Sequence, residues 1–454
     1  MTTPPLPTPW NVFNLRASPY WQESLGGSDQ VHPLSLFVGR AAELDALEGV
    51  LYGAGESSSR QAVAGAPGVG KTTLVKEFKA RARERGYLTV DDFVALLPGD
   101  TPDALFGRVL GLVYETVLAN RPMAAGNAAM QAAQQLVRAG QTTTGGGGSV
   151  SAFGFGASAS RAGALTTPKE LMLDGPRVLR DLVGLVRGSG AAGLLVHVNN
   201  LENLSEAEAA AAADILRALR DPMLMHPGLH VVVVGTTDAV QTVVHTHQQV
   251  RHTFSTQAVQ PLGVGDVHRL LAARYDHGRL DPAAPAVAPA EPAAVDDLYG
   301  LYRGDLRGLL KALDDGVRPN IGLALAAPDQ GGADASRALA AGRTLGVAEG
   351  SAARPRPRSL TAAELRPTLR QRYAAELDAL REKTRVAQLT AWGERAPAEP
   401  QTQEALARLW KLSQGAVSAA LAFLVREGYV LALPRQGAGA TRYVLSGTSR
   451  LIFG

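Results

Sequence analysis

The stretch Gly65-Ala66-Pro67-Gly68-Val69-Gly70-Lys71-Thr72 matches G-x-x-x-x-G-K-[ST] at every position. It constrains the fold because it works at one kind of junction only. Its glycines let successive backbone N–H groups turn toward phosphate oxygens, and a helix starting just beyond presents its positive end to the same anion. A strand must therefore precede the loop and a helix follow it. The sequence supplies both. Residues 61–64 form a short strand candidate, and residues 73–84 place Leu74 and Phe78 on one helical face with basic residues outward. In such a loop Gly65, Pro67, Gly68, Val69, Gly70 and Thr73 shape the cradle. Lys71 reaches the outer phosphates and the Thr72 hydroxyl ligates Mg²⁺.

Around this motif, residues 37–261 alternate short β-branched runs with longer amphipathic stretches, the pattern of a parallel sheet with crossover helices. A chain of 454 residues is too long for a single core, so further domains are expected. Residues 262–341 read as mostly helical around a Pro/Ala-rich loop at 281–294. Residues 342–358, which end in Arg354-Pro355-Arg356-Pro357-Arg358, read as an extended linker. Residues 359–454 read as a last helical domain closing in two short strands. The first 36 residues carry Trp10, Phe13, Tyr20 and Trp21 without helical or strand period, as an arm does when aromatics pin it to its own body or a neighbour's. A Thr/Gly run at 142–148, followed by Phe153 and Phe155, reads either as a flexible β-hairpin or as a loop without structure.

The chain has no cysteine, which excludes disulfides, thiolate zinc fingers, iron–sulfur clusters and cysteine nucleophiles. Its longest apolar runs, 194–198 and 231–234, fall short of a membrane span, and its first ten residues lack a secretory pattern. A cytoplasmic protein with no membrane partner is expected. The net charge of +3 is unevenly spread: residues 354–454 hold 16 Lys and Arg against 8 Asp and Glu, leaving the remainder acidic. A basic end on a mildly acidic body suits either a nucleic-acid-facing module or a solvated surface.

Upstream of the phosphate loop stands Phe37-Val38-Gly39-Arg40, followed by Glu43 and Leu44. With this box the sequence resembles the AAA+ and STAND superfamily of P-loop ATPases, and most closely its origin-recognition/cell-division-cycle initiator branch, over residues 37–341. The resemblance implies ATP and Mg²⁺ as ligands, with Val38, Gly39 and Arg40 near the adenine. It also implies that the strand at 194–198 leads into the acidic element that holds Mg²⁺ and orients the attacking water. Here those two positions are Asn199 and Asn200, and Glu202 matches the third acid. An amide cannot act as a general base, a role worth about 10²–10⁴ in rate, so weak or absent hydrolysis is expected, with Glu202 the alternative base. Thr236, after the strand at 231–234, resembles a residue that senses the γ-phosphate; it equally suits a helix N-cap. Arg251, ahead of a strand expected at 259–262, resembles the arginine that one subunit inserts into its neighbour's site, which implies an ATP-dependent homo-oligomer. It also suits a plain surface residue. Gly304-Asp305-Leu306-Arg307 resembles the lid element whose arginine, Arg307, meets the γ-phosphate, while Asp305 would otherwise cap its helix. His245, His247, His252 and His268 do not suggest a metal site, since 245 and 247 cannot share a helical face and no carboxylates accompany them.

Near the basic end, an amphipathic helix at 401–412, a second helix at 414–427 capped by Ser413, and strands at 429–433 and 442–445 occur in order. This order resembles a winged helix–turn–helix of small bacterial repressors. It implies double-stranded DNA as partner, with Gln414 and Ser418 toward base edges and Arg408, Lys411, Arg435 and Arg442 toward phosphates. The same helix is rich in alanine (Ala416, Ala419, Ala422), which also suits a protein-docking role. The expected fold class is therefore α/β: a P-loop NTPase (AAA+) parallel sheet with a helical lid, plus a C-terminal winged helix–turn–helix domain. The expected function is a nucleotide-switched DNA-binding protein, initiator- or transposition-regulator-like. The alternative is a STAND-like signalling or defence ATPase that docks a protein partner.

Overall fold

The computed structural model describes residues 8–26, 31–52, 58–141, 171–201, 204–325, 357–396, 399–433 and 440–453. The hairpin expected at 142–160, most of the 342–358 linker, Glu202 and Arg435 lie outside these residues. The chain forms two compact units, one of residues 24–260 and one of residues 1–23 with 261–454.

The first unit is an α/β layer. Its parallel strands are β1 (Arg60–Gly65), β2 (Tyr87–Leu88), β3 (Val94–Ala95), β4 (Gly193–Asn199), β5 (Leu229–Gly235) and β6 (Ser255–Val259). They run in the order β2-β4-β5-β1-β6, with β3 also paired to β4. Every residue of β4 and β5 is buried. Helices cover both faces of these inner strands, which is why they read as continuous apolar runs rather than alternating ones. Alternate residues still divide between two cores. Val63, Leu195, Val232 and Val234 pack against Leu44, Leu47, Leu74 and Phe78 of the helices Ala41–Tyr52 and Lys71–Glu84. Ala62, Val196, Val198, Val231 and Val233 face the larger cluster that includes Phe106, Leu110 and Leu179. The strand expected at 259–262 is instead β6, ending at Val259. It is a largely exposed edge strand, Ser-Thr-Gln-Ala-Val, with no apolar run to mark it.

His230, on β5, is fully buried, and its Nδ1 accepts from the Ser59 N–H at 3.2 Å. Burial, with Arg60 nearby, lowers its pKa from 6.5 to about 4. The folded state therefore binds fewer protons than the unfolded one between those values, and stability is lost as pH falls below about 6.5. Between pH 7.5 and 5 the stability gap between the native chain and His230→Gln should narrow by about 2 kcal/mol in urea titrations. A gap independent of pH would contradict this.

The second unit contains the helices Val264–His277, Pro292–Leu301, Leu306–Leu325, Ala362–Asp378, Lys383–Arg395, Gln403–Trp410, Gln414–Arg426 and Gly447–Phe453. It also has a small antiparallel sheet of β7 (Gln401–Thr402), β8 (Val430–Leu433) and β9 (Arg442–Leu445) in the order β7-β9-β8. The N-terminal arm is pinned to this unit. Trp10, Phe13, Leu15 and Tyr20 are buried. The Arg274 guanidinium lies 3.5 Å over the Trp21 ring and donates to the carbonyls of Pro19 and Trp21 at 3.1 and 2.8 Å. Asn14 Nδ2 donates to the Asp281 and Ala284 carbonyls at 3.0 and 2.9 Å. The N-terminal stretch of this unit ends at residue 23, inside the arm expected at 1–36.

Residues on both sides of the linker expected at 342–358 belong to one compact unit. Arg358 N donates to the Ala324 carbonyl at 3.0 Å, and the buried Leu360 donates its N–H to Pro289 O at 2.9 Å. Asp315 gathers Lys311 (2.7 Å), Arg372 (3.0 Å) and the Tyr373 hydroxyl (3.1 Å) between two helices. Composition marks the Pro/Arg stretch, but not the docking of the helices beyond it. Tyr302 completes the join: a Cβ on Gly447 would lie 2.4 Å from its ring, and one on Gly308 2.3 Å. Gly447→Ala should therefore destabilise by about 1–3 kcal/mol through overpacking. Gly415→Ala, on an exposed helical face with nothing within 4 Å, should be neutral or stabilising. Equal denaturation midpoints for the two variants would contradict the packing at Tyr302.

Candidate nucleotide site and candidate nucleic-acid interface

The loop after β1 has the backbone its glycines permit. Gly68 and Gly70 have φ of +78° and +94°, and the helix Lys71–Glu84 begins directly after Gly70. A Cβ on Gly65 would lie 2.7 Å from the Val259 carbonyl oxygen, so only glycine fits there. Lys71 is folded over the loop, its Nζ donating to the Gly65 and Ala66 carbonyls at 3.0 Å each. Pro67, Val69, Thr72 and Thr73 complete the segment, with Val69 buried. A cradle of backbone N–H groups at the carboxyl end of a central parallel strand is a place for a phosphate chain.

Arg40, expected near the adenine, is tied to protein groups. Gly39 and Arg40 both have left-handed backbone, with φ of +73° and +67°, next to Val38. The buried Arg40 guanidinium is engaged by protein groups: Nη1 donates to Glu43 Oε1 at 2.8 Å and to the Gln260 carbonyl, and Nη2 to the Val69 carbonyl at 2.7 Å. These bonds join it to the loop at Val69 and to the residue that follows β6. Residue spacing alone carries no signal of that three-way tie.

Asn199 ends β4, two strands away from β1, and is 6% exposed. Its Oδ1 is buried without a hydrogen-bond partner among the described residues, an acceptor suited to a cation or its water. Asn200 has φ +71°, a left-handed conformation that asparagine tolerates and glutamate does not favour. Thr236 acts as the N-cap of Thr237–His245, accepting from Ala239 N at 3.3 Å. Arg251 is exposed at the end of the short helix Gln248–Arg251. Beneath β4, Lys79 is fully buried and donates to the carbonyls of Val90 (2.9 Å) and Asp92 (2.7 Å), and burial lowers its pKa to about 7. This buried lysine, which braces the segment leading into β3, escapes sequence reading because basic residues on that helix were expected outward.

In the second unit, Asp305 caps the first turn of Leu306–Leu325, accepting from Gly308 N at 3.1 Å, and burial raises its pKa. Arg307 is exposed on that turn. Further on, Thr402 caps Gln403–Trp410 by accepting from Ala405 N at 3.2 Å. The helix expected from 401 therefore starts at Gln403, because residues 401–402 pair with β9. Lys411 turns the chain with φ +54°, and Ser413 caps Gln414–Arg426. Gln414 and Ser418 are exposed, as are Arg408, Lys411 and Arg442, with Arg408 paired to Glu404 at 2.6 Å. The first strand of the small sheet and the last helix, Gly447–Phe453, were not expected. Among the described residues no group of three or more His, Asp or Glu side chains could hold a metal ion, and no helix is long and apolar enough to cross a membrane.

Residues 36–234 match the family model described as an AAA ATPase domain. No curated protein is detectably similar in sequence. Three of the similar solved structures carry the name ORC. The Aeropyrum pernix ORC2 protein, in ADPNP–ADP complexes, is 17% identical over 96% of this chain and 97% of its own, with a TM-score of 0.40. The A. pernix ORC1 protein in complex with DNA is 15% identical over 93% and 95%, with a TM-score of 0.38. Drosophila ORC bound to DNA is 13% identical over 100% and 92%, with a TM-score of 0.41. With its parallel sheet, its phosphate loop after an inner strand and this match over residues 36–234, the α/β unit has the AAA+ P-loop fold.

Proposed function

We propose that the chain binds ATP with Mg²⁺ at the loop 65–73, hydrolyses it weakly or not at all, and uses nucleotide occupancy to control binding of double-stranded DNA by its C-terminal module. The observation that carries the reading is the loop itself: left-handed Gly68 and Gly70, a helix starting at Lys71, and Lys71 Nζ poised over the loop. Gly65 through Thr73 hold the phosphates, and Thr72 with Asn199 Oδ1 are the groups that suit Mg²⁺. The ion would neutralise phosphate charge. A neutral amide at Asn199 leaves it without the usual carboxylate, and Asn200 cannot take a proton from water. Arg251 is proposed to reach a second copy in an ATP-dependent oligomer, and Arg307 to respond to the nucleotide from the lid. DNA binding and a cytoplasmic setting, in an initiator- or transposition-regulator-like role, belong to the same proposal.

The order helix, turn, helix, strand pair and the basic C-terminal block support the DNA reading. One observation favours protein docking instead: the outward face of Gln414–Arg426 is Gly415, Ser418, Ala419, Ala422 and Val425, with no cation before Arg426. Salt dependence separates the two. If DNA is the partner, Lys411→Ala and Arg442→Ala should each weaken duplex binding and lower the slope of log K against log salt by about 1. Duplex binding that is absent at both low and high salt would favour the docking reading.

A further inference from the structure

We infer that Arg40 is a positioning residue that couples the phosphate loop to the segment through which the chain leaves the α/β unit. The inference rests on the nucleotide reading above and deepens it. One buried guanidinium donates to two carbonyls distant in sequence, Val69 in the loop and Gln260, with Glu43 holding its charge. Gln260 is the last residue of the α/β unit, and Pro261 the first of the next stretch of the other. The same segment touches the loop a second time, because the Val259 carbonyl stands where a Cβ of Gly65 would be. The loop is thus braced against residues 259–260 at its start, Gly65, and at Val69.

The geometry is held against a backbone preference. Gly39 takes the left-handed region freely, but Arg40 at φ +67° does so at a cost. The guanidinium bonds keep it there. Phosphate oxygens that reorder the N–H groups of residues 68–70 move the Val69 carbonyl with them, since it shares a rigid peptide plane with the Gly70 N–H. A planar fork carries that displacement to Gln260. A lysine keeps the charge but has a single nitrogen and cannot bridge both carbonyls in a fixed geometry. A second tie runs from the helix after the loop: Lys76 Nζ donates to Ser24 Oγ at 2.8 Å, where the chain first enters the unit. That bond is exposed and adds little by itself.

Hydrogen–deuterium exchange of the full chain, with and without saturating ATP–Mg²⁺, tests the coupling in two peptides, 65–75 and 256–264. In the native chain ATP should slow exchange several-fold in both. Arg40→Ala and Arg40→Lys should keep the ATP response at 65–75 and lose it at 256–264. If Arg40→Ala does not fold, Arg40→Lys carries the same comparison. A native-like response at 256–264 in either Arg40 variant overturns the inference, as does a native chain that responds at 65–75 only. No response at 65–75 in the native chain would overturn the nucleotide reading itself, and the coupling with it.

Discussion

Asn199→Asp combined with Asn200→Glu is expected to raise steady-state ATP turnover about 10²-fold over the native chain, the lower end of what a positioned general base contributes. Asn199 sits at the buried end of β4 with Oδ1 unpartnered, so a carboxylate there has a cation to meet once Mg²⁺ arrives and an uncompensated charge until then. The variant should accordingly be less stable than the native chain without nucleotide and recover with ATP–Mg²⁺. The second substitution works against the backbone, because Asn200 is left-handed and a glutamate there costs roughly 1 kcal/mol. That strain is why the gain is placed at the low end. Phosphate release at saturating ATP is the measurement. Unchanged turnover with intact ATP binding would mean that the end of β4 is not where hydrolysis is limited.

Lys71→Ala and Gly65→Ala should both impair nucleotide binding, but for different reasons. Lys71 Nζ rests on two loop carbonyls that solvent can satisfy when it is removed, so Lys71→Ala should keep a near-native melting temperature. Loss of its charge-assisted bonds to phosphate should weaken a fluorescent ATP analogue about 100-fold, which corresponds to roughly 3 kcal/mol. In Gly65→Ala the new Cβ meets the Val259 carbonyl at 2.7 Å, a backbone atom that cannot rotate away. That variant should lose binding and also melt several degrees lower. If Lys71→Ala binds the analogue as the native chain does, the loop is not a phosphate site.

Much of the α/β unit was legible because local chemistry and tertiary position agree there. The loop 65–72 demands a strand and a helix, and β4 and β5 are apolar throughout because both of their faces are covered. The edge strand β6 was misplaced because its exposed Ser-Thr-Gln-Ala sequence carries no burial signal. In the other unit, helices and caps at Ser413 and Asp305 were readable from local pattern. Its organisation was not. The arm's aromatics announced docking without naming a target, and the union of lid and C-terminal helices depends on Asp315, Tyr302 and Gly447, which are far apart in sequence. At the candidate site, residue types at fixed spacing identified the loop and the two asparagines. The left-handed backbone at Arg40 and Asn200, and the three partners of the Arg40 guanidinium, are properties of folded geometry that spacing does not encode.

The central claim is that nucleotide governs DNA binding, and fluorescence anisotropy of a labelled duplex tests it most directly. The full chain is titrated with and without ATP–Mg²⁺, beside Lys71→Ala, at two salt concentrations. Binding should be salt-sensitive and tighten at least tenfold with ATP in the native chain and not at all in Lys71→Ala. Equal affinity with and without ATP, in a native chain that demonstrably binds ATP, would contradict it.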